Sequence, residues 1–542
     1  VRLHPEVLAR CVPVITWLLA GCGAERATTA CAACATVQVA AVREPPAILP
    51  PLVQETVGRD IGDRVFERLA TMLPGAPTID AASYRPALAA RWERIDSLTW
   101  RFALRPGARW HDGRSVTADD VVFSFEAYTD TALGAMAGSA LAGVRARAVD
   151  SATVELRFPR PGTEQLYDAT WHVRILPRHV WGDVPREAWA ADTTLARLVG
   201  SGPYRVVSWQ RGQSLTLDAD TTRAPLPEVR RLVWRFTADP EAALNLVLSH
   251  EADVFETVGG DEAAARVAAD TSLRLVRYPA AVFGFLGFRL TDVRGVAHPV
   301  LGDRAVRRAL ALATDRAGLA RALVGEGAAV PAGPMSRLLW VASEGAEVPA
   351  FDTAATAAQL DRAGWRRAGQ WRAKAGRPLS FDILVPSTST MRRRYAEALQ
   401  AAWRALGIEV SVTAVDFPVF QQRLADGDFD GYIGAYLDEP SPRGLVEQWT
   451  SRGIGALNHG RYASVAFDRA VDSALAASDL ATARRLWRTA LDTLAADAPA
   501  IFLYTPQQRA AVSRRIGGVE INPFSWLEGV ERWTVDVRRG GK

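Results

Sequence analysis

The feature that most constrains this chain is an alternation of two periodicities between residues 380 and 436. "FDILVP" is a short apolar run, and "MRRRYAEALQAAWRALG" carries Leu399, Trp403 and Leu406 at helical spacing before Gly407 stops it. "IEVSVTAV" alternates apolar and polar residues, "FPVFQQRLADG" is a short helix, and "FDGYIGAY" is a strand again. Strands joined by helices through short links lie parallel, because a parallel pair needs a crossover and a helix supplies it. In such open sheets ligands sit beyond the carboxyl ends of the strands. Two loops take that position. Residues 386–390, "PSTST", offer the hydroxyls of Ser387 and Thr388, and residues 437–444, "LDEPSPRG", offer the carboxylates of Asp438 and Glu439. A carboxylate there pairs strongly with a cationic ligand group in a dry cleft. The same residues also simply make turns, and position alone leaves both readings open.

The remaining pattern is mixed. Residues 62–72 read as an amphipathic helix with Val65, Leu69 and Met72 on one face. Leu98, Trp100, Phe102 and Leu104 alternate as a strand, and "WHDG" makes a turn. Thr117, with Asp120 three residues on, opens a helix with a capping box. Residues 149–158 read as one alternating strand, and "VGSGPYRVVSWQRGQSLTLDAD" as a hairpin around Arg211-Gly212. A strand, a helix over 239–249 and a second strand follow, then a strand from 283 to 290. Residues 303–325 read as one long helix ended by Gly325 and Gly327; two more helices cover 464–477 and 480–497, before strands from residue 500. At about 100–200 residues per domain, 542 residues hold two to four domains. No repeat of solenoid length is present.

Charge and the N-terminus set the setting. A formal charge of +4 over this length gives no case for nucleic acid, and Arg392-Arg393-Arg394 reads as a solvated helix face. Arg2 and Arg10 precede an apolar run over 12–20, far short of the ~20 residues a spanning helix needs. A basic start, a short apolar middle and small residues describe an export signal. "LAGC" is similar to the bacterial lipobox, which implies a signal peptide over 1–21 and lipid on Cys22. Residues 22–36, rich in Ala and Thr, read as a flexible tether. Cys31 and Cys34 have C-x-x-C spacing but lack two further zinc ligands or a helix start for redox work, and read as a local disulfide or two idle thiols. There is no H-E-x-x-H, no G-x-S-x-G elbow and no phosphate loop. His111 in "WHDG" reads as a turn residue, and His172 and His179 are too loosely spaced for a metal pair. The expectation is a non-enzyme with no cofactor.

Six segments together resemble one family, the solute-binding proteins of ABC importers in the peptide- and nickel-binding class, family 5. "LTWRFALRPGARWHDGRSVTADDVVFSFE" is similar to its strand, [F/W]-x-D-G turn and T-A-D-D-V helix. "VGSGPYRV" resembles its G-T-G-P-Y motif, and "EPPAILPPL" its E-P-x-x-L-D-P stretch, with Leu49 at the aspartate position. "VRRALALATDRAGLARALVGEG", "FDGYIGAY" and "NHGRYASVAFD" resemble later segments in the same order. The resemblance implies an α/β, two-lobed fold of the type II periplasmic-binding-protein kind, with an extra subdomain and mixed sheets flanked by helices. It implies a first lobe from 36–68, 201–278 and 502–542, a subdomain over 69–200, and a second lobe over 279–501. It also implies a monomeric receptor in the cell envelope, lipid-anchored, that closes over a short peptide and delivers it to a membrane permease. Relatives of this family pair the peptide amino group with an aspartate after a Gly-Trp strand. Ala435-Tyr436 stands there now, and Asp438 is the nearest match, with Glu439 behind it. Arg289 replaces the usual asparagine after "GFLGF". The implied ligand-facing set is Glu44, Phe283, Arg289, Ser387, Thr388, Tyr436, Asp438, Glu439 and Asn458. Open alternatives are a nickel, haem or opine receptor of the same fold, or a secreted hydrolase.

Overall fold

The structure, a computed structural model, describes residues 35–345 and 349–536. Two mixed sheets dominate it. The first has seven strands in the order Leu273–Pro279, Gln507–Ser513, Val254–Phe255, Thr36–Val42, Arg231–Thr237, Ser214–Ala219, Tyr204–Gln210. Only Thr36–Val42 makes parallel pairs in it, with Arg231–Thr237 and Val254–Phe255. The second has five strands, Glu409–Val415, Ser380–Pro386, Gly431–Leu437, Val282–Phe288 and Ala500–Tyr504. Its first three are parallel, as the alternation over 380–436 requires, and Val282–Phe288 runs antiparallel to both neighbours. A four-stranded antiparallel sheet, Ala89–Arg94, Thr99–Leu104, Thr153–Arg157 and Arg145–Asp150, lies in the small-sheet segment between the first helix and the hairpin strand Tyr204–Gln210.

The period of two in each strand decides which core it feeds. In Val282–Phe288, Phe283 and Phe285 face one cluster while Leu286 and Phe288 face another. The second cluster is closed by helix Thr390–Arg404, which buries Tyr395, Leu399 and Trp403. Each such side chain contributes roughly 1.5–3 kcal/mol by leaving water. The first cluster continues through Trp449, Trp340 and Leu491 into Phe102 and Leu156, so the small-sheet segment packs on the second sheet's side of the molecule. The first sheet has its own core around Val39, Leu217, Leu232 and Trp234.

The two large sheets are joined where strands end and restart. Leu273–Pro279 gives way to Val282–Phe288 across Ala280-Ala281, and Ala500–Tyr504 to Gln507–Ser513 across Thr505-Pro506. The crossings are neighbours: Ala280 N–H donates to Pro506 O at 3.0 Å. The strand Ala500–Tyr504 stays wholly in the five-stranded sheet, so the second crossing falls beyond residue 502.

Local signals are satisfied in detail. Asp120 accepts from Thr117 N at 2.8 Å and from Arg178 N at 2.9 Å, so the capping box also ties in a distant segment. His111 is a clip: Gly200 N donates to Nδ1 at 3.2 Å, and Nε2 lies 3.0 Å from Gly202 O, which places the ring proton on Nε2. The glycines of "GSGPY" are there for contact, since a Cβ on Gly200 would lie 1.8 Å from Val65 O.

Three local expectations are corrected. The helix expected over 62–72 is Thr56–Val65, capped by Glu55, and residues 70–72 form a strand. Leu69 and Met72 are buried, but in the bend before the strand and in the strand itself, which so short an apolar run does not distinguish from a helix. The long helix over 303–325 is two, Arg304–Leu312 and Arg316–Leu323. Asp315 breaks it by accepting from Gly318 N at 2.9 Å as a new cap. The strand over 149–158 is a hairpin turning at Ser151-Ala152, where Asp150 accepts from Ala152 N at 2.8 Å.

Candidate functional site

A cleft of about 1020 Å³ opens between these parts. Helix Thr56–Val65 supplies Arg59 and Asp63 to its wall. The small-sheet segment supplies Tyr128, Met136, Glu164 and, from helix Gln165–Trp171, Tyr167, Asp168 and Trp171. The loop after strand Gly431–Leu437 supplies Leu437, Asp438, Glu439 and Arg443. The carboxyl end of Gly431–Leu437, the middle strand of the five, therefore faces the cavity, whereas the loop after its parallel neighbour Ser380–Pro386 does not.

Charge in the cleft is partly paired. Arg443 binds Asp168 bidentately, Nη1 to Oδ1 at 2.6 Å and Nη2 to Oδ2 at 3.0 Å, joining the strand-end loop to helix Gln165–Trp171 across the cleft. Asp168 is 5% exposed, and burial pushes its carboxyl up to about 7 against the pull of Arg443. Asp63 accepts from Arg174 Nε at 2.6 Å and Nη2 at 3.1 Å, and from Arg68 Nη2 at 2.9 Å. Burial alone would raise the Asp63 carboxyl, but Arg174 and Arg68 bring it below the ordinary carboxylate range. His172 loses its proton readily, since burial lowers it to about 3. Tyr167 stacks on Trp171 with ring centroids 5.9 Å apart.

Asp438 and Glu439 have no ion-pair partner among the described residues. Ser336 N donates to Asp438 Oδ2 at 2.6 Å and orients the carboxylate. Burial pushes Asp438 up to about 6. Glu439 is open to the cleft, yet the facing walls displace bulk water and raise it, while Arg59, Arg174 and Arg443 pull it back.

The other expected residues lie elsewhere. Glu44 accepts from Trp209 Nε1 at 2.6 Å and Gly212 N at 2.8 Å, pinning the hairpin tip of the first sheet. Phe283 is fully buried among Phe285, Tyr436 and Phe502. Arg289 bonds Phe429 O and Asp430, a carboxylate shared with His298. Ser387 donates to Asp416 at 3.3 Å, and Thr388 is exposed beside it in the turn. Tyr436 OH donates to Leu457 O at 2.6 Å. Asn458 spends its amide on Thr450 O, Tyr462 O and Tyr462 N at 2.9, 2.8 and 3.0 Å. None of these seven lines the cleft; of the expected set, it brings together Asp438 and Glu439 only. Arg59, Glu164, Tyr167, Asp168 and Arg443 were not foreseen. Each lies on an ordinary helix or loop with no motif, and only the fold makes them neighbours. Among the described residues no group of three His, Cys, Asp or Glu could hold a metal ion, and no helix is long and apolar enough to cross a membrane.

Residues 83–455 match the family model of bacterial extracellular solute-binding proteins, family 5, middle region. The chain belongs to this family. Family 5 is the solute-binding class of ABC importers that take up peptides and nickel, and its members bind rather than transform their solutes. This family 5 protein is 29% identical over 477 residues to protein XP55 of Streptomyces lividans, covering 86% of this chain and 82% of that one. It is 24% identical over 473 residues to the oligopeptide-binding protein AppA of Bacillus subtilis, covering 84% of each. Among solved structures it is similar to CtaP, an ABC transporter substrate-binding protein of Listeria monocytogenes, with a TM-score of 0.79 at 19% identity over 92% of this chain and 99% of that one. The two-lobed type II fold expected of family 5 is the fold observed.

Proposed function

We propose that this protein captures short peptides by their free amino group on Asp438, between two lobes that close over them, and hands them to a membrane permease. The observation that carries the reading is the position of Asp438: at the carboxyl end of a central strand, in the wall of a large cleft, oriented by Ser336 and without an ion-pair partner. A carboxylate so desolvated gains most from a ligand that brings a positive charge. The oligopeptide-binding name of the Bacillus relative and the dipeptide-binding name of an Escherichia coli relative, 24% identical over 467 residues, support the same solute class.

In this reading the first lobe is residues 36–68, 201–278 and 502–542, with the boundary at 502 moved to the crossing at 505–506, the subdomain is 69–200, and the second lobe runs from 279 to that crossing. The paired crossings at 280–281 and 505–506 are the hinge, the kind of place where a few residues absorb the rotation. Arg443 and Asp168 tie the strand-end loop to the subdomain, which shares a core with the second lobe, so the pair stays joined as the first lobe moves. Closure is a shift of population toward the form in which the ligand touches both walls. Cys22, outside the described residues with the rest of 1–34, carries the lipid that holds the receptor at the membrane.

The test uses protein beginning at residue 23. Short free-amine peptides should raise its melting temperature, as binding to the folded state must, and N-acetylated versions should do so less. Asp438→Asn should remove that difference. No response to a broad peptide library, or equal loss for free and acetylated peptides, would refute the reading. Nickel salts and haem in parallel wells test the other solutes of this fold.

A further inference from the structure

A second charged anchor stands on the opposite wall. Five arginines line the cleft; Arg160 is exposed and forms no ion pair among the described residues, and of the other four three are committed: Arg174 to Asp63, Arg443 to Asp168 and Arg452 to Asp472 at 2.5 Å. Arg59, in helix Thr56–Val65, is the fourth. It is half-buried, its Nε is shut off from water with no hydrogen-bond partner, and its guanidinium forms no ion pair or hydrogen bond among the described residues. A guanidinium has five N–H donors, and a buried donor left without an acceptor is costly. Such an orphan in a folded protein calls for an explanation, and one in a ligand cleft has a direct one.

The carboxyl groups around Arg59 do not fill that need. Glu55, on the same helix, accepts from Gly58 N at 2.8 Å as its cap. Asp60 is 2% exposed, and burial together with Glu256 raises its carboxyl well above the ordinary range. Glu256 follows strand Val254–Phe255; burial pushes it up to about 7, and Tyr278 lies against it. Glu439 faces Arg59 from across the cleft without forming an ion pair. Arg59 is thus attracted from several directions and bonded from none.

We propose that Arg59 is the ligand's carboxylate site. The planar fork of its guanidinium donates two parallel N–H bonds to a carboxylate. Its position on the helix wall, opposite Asp438 on the strand-end wall, makes a zwitterion bridge the two walls. The inference rests on the peptide reading for its ligand but not for its chemistry. The carboxylate is either the peptide's C-terminus or an acidic side chain.

Calorimetry with wild type, Arg59→Gln and Arg59→Lys separates these. The probes are Ala-Ala-Ala as the free acid, its C-terminal amide, and the amide of Ala-Glu-Ala. The wild type should bind one carboxylate-bearing peptide about 10- to 100-fold tighter than Ala-Ala-Ala amide, the range of a charge-assisted bond. Preference for the free acid assigns the terminus, and preference for Ala-Glu-Ala amide the side chain. Arg59→Gln should abolish the preference, and Arg59→Lys should keep part of it. A wild type indifferent to both carboxylates, or a preference surviving in Arg59→Gln, overturns the proposal. Since the Arg59 guanidinium makes no hydrogen bond or ion pair among the described residues, both variants should melt as the wild type does. If no peptide binds the wild type, the peptide reading fails, and Arg59 is tested alone by phenylglyoxal modification followed by peptide mapping. Slower modification of Arg59 in acetate than in chloride of equal ionic strength supports the site, and equal rates overturn it.

Discussion

Asp63→Asn should destabilise the protein strongly. The carboxylate sits between Arg174 and Arg68, with three bonds of 2.6, 3.1 and 2.9 Å, and both arginines are largely buried. Asparagine keeps the shape and removes the charge. Arg174 keeps the carbonyls of Trp171 and His172 and Arg68 its position over the Trp171 ring at 4.6 Å, while one amide oxygen replaces the two charged oxygens that the arginines shared. Removing one member of a buried ionic set costs about 3–5 kcal/mol, because the remaining charge stays uncompensated. If the whole chain melts as one unit, an unfolding entropy of roughly 1 kcal/mol/K for some 500 residues turns this into a drop of about 3–5 °C. If the small-sheet segment of roughly 130 residues melts by itself, the same loss gives a drop of about 11–18 °C in a separate transition. Differential scanning calorimetry distinguishes the two. The pH dependence fixes the cause. Asp63 has a folded pKa below its ordinary 3.8, so its contribution is fully present above that value and is lost as pH falls through the lower one. The gap between wild type and variant should be flat from pH 5 to 8 and shrink only in strong acid. A drop below 1 °C, or a gap that varies between pH 5 and 8, would refute the role given to Asp63.

Two further outcomes follow. Asp438 is pushed up to about 6, and a ligand ammonium needs it ionised, so affinity for free-amine peptides should fall as pH drops from 7 to 5, while Asp438→Asn shows no such slope; titration calorimetry across that range checks this. Asn458→Ala should cost about 2–4 kcal/mol, because three bonds inside the fold are lost and buried carbonyls are left open. Peptide affinity in the Asn458→Ala protein should stay within about twofold, and a larger loss would return Asn458 to the ligand site.

The second sheet was legible because its information is local: each strand and helix over 380–436 is a complete periodic run with its own stop, such as Gly407. The open-sheet rule then pointed to two loops, of which the one with Asp438 and Glu439 lines the cleft and the one with Ser387 and Thr388 does not. Where a boundary depends on one side chain, the pattern misleads. Leu310, Ala313 and Leu319 keep helical spacing straight through the break that Asp315 makes. The remaining site residues failed for a related reason. Phe283 and Asn458 have the residue types of a ligand pocket, but neighbours brought from elsewhere in the chain consume them. Asp168 and Arg443 are 275 positions apart, and nothing in either neighbourhood announces the other. Likewise the gap at Arg59 is visible only once every acceptor near it has been placed.

The seven-stranded sheet has a slot that is filled late in synthesis. Leu273–Pro279 touches that sheet only through Gln507–Ser513, which also closes the exposed side of Val254–Phe255. A ribosome that has made the first five hundred residues has therefore made a half that begins at residue 36 and still lacks the strand that completes it. The seven-stranded sheet therefore cannot be completed before residues 507–513 have emerged.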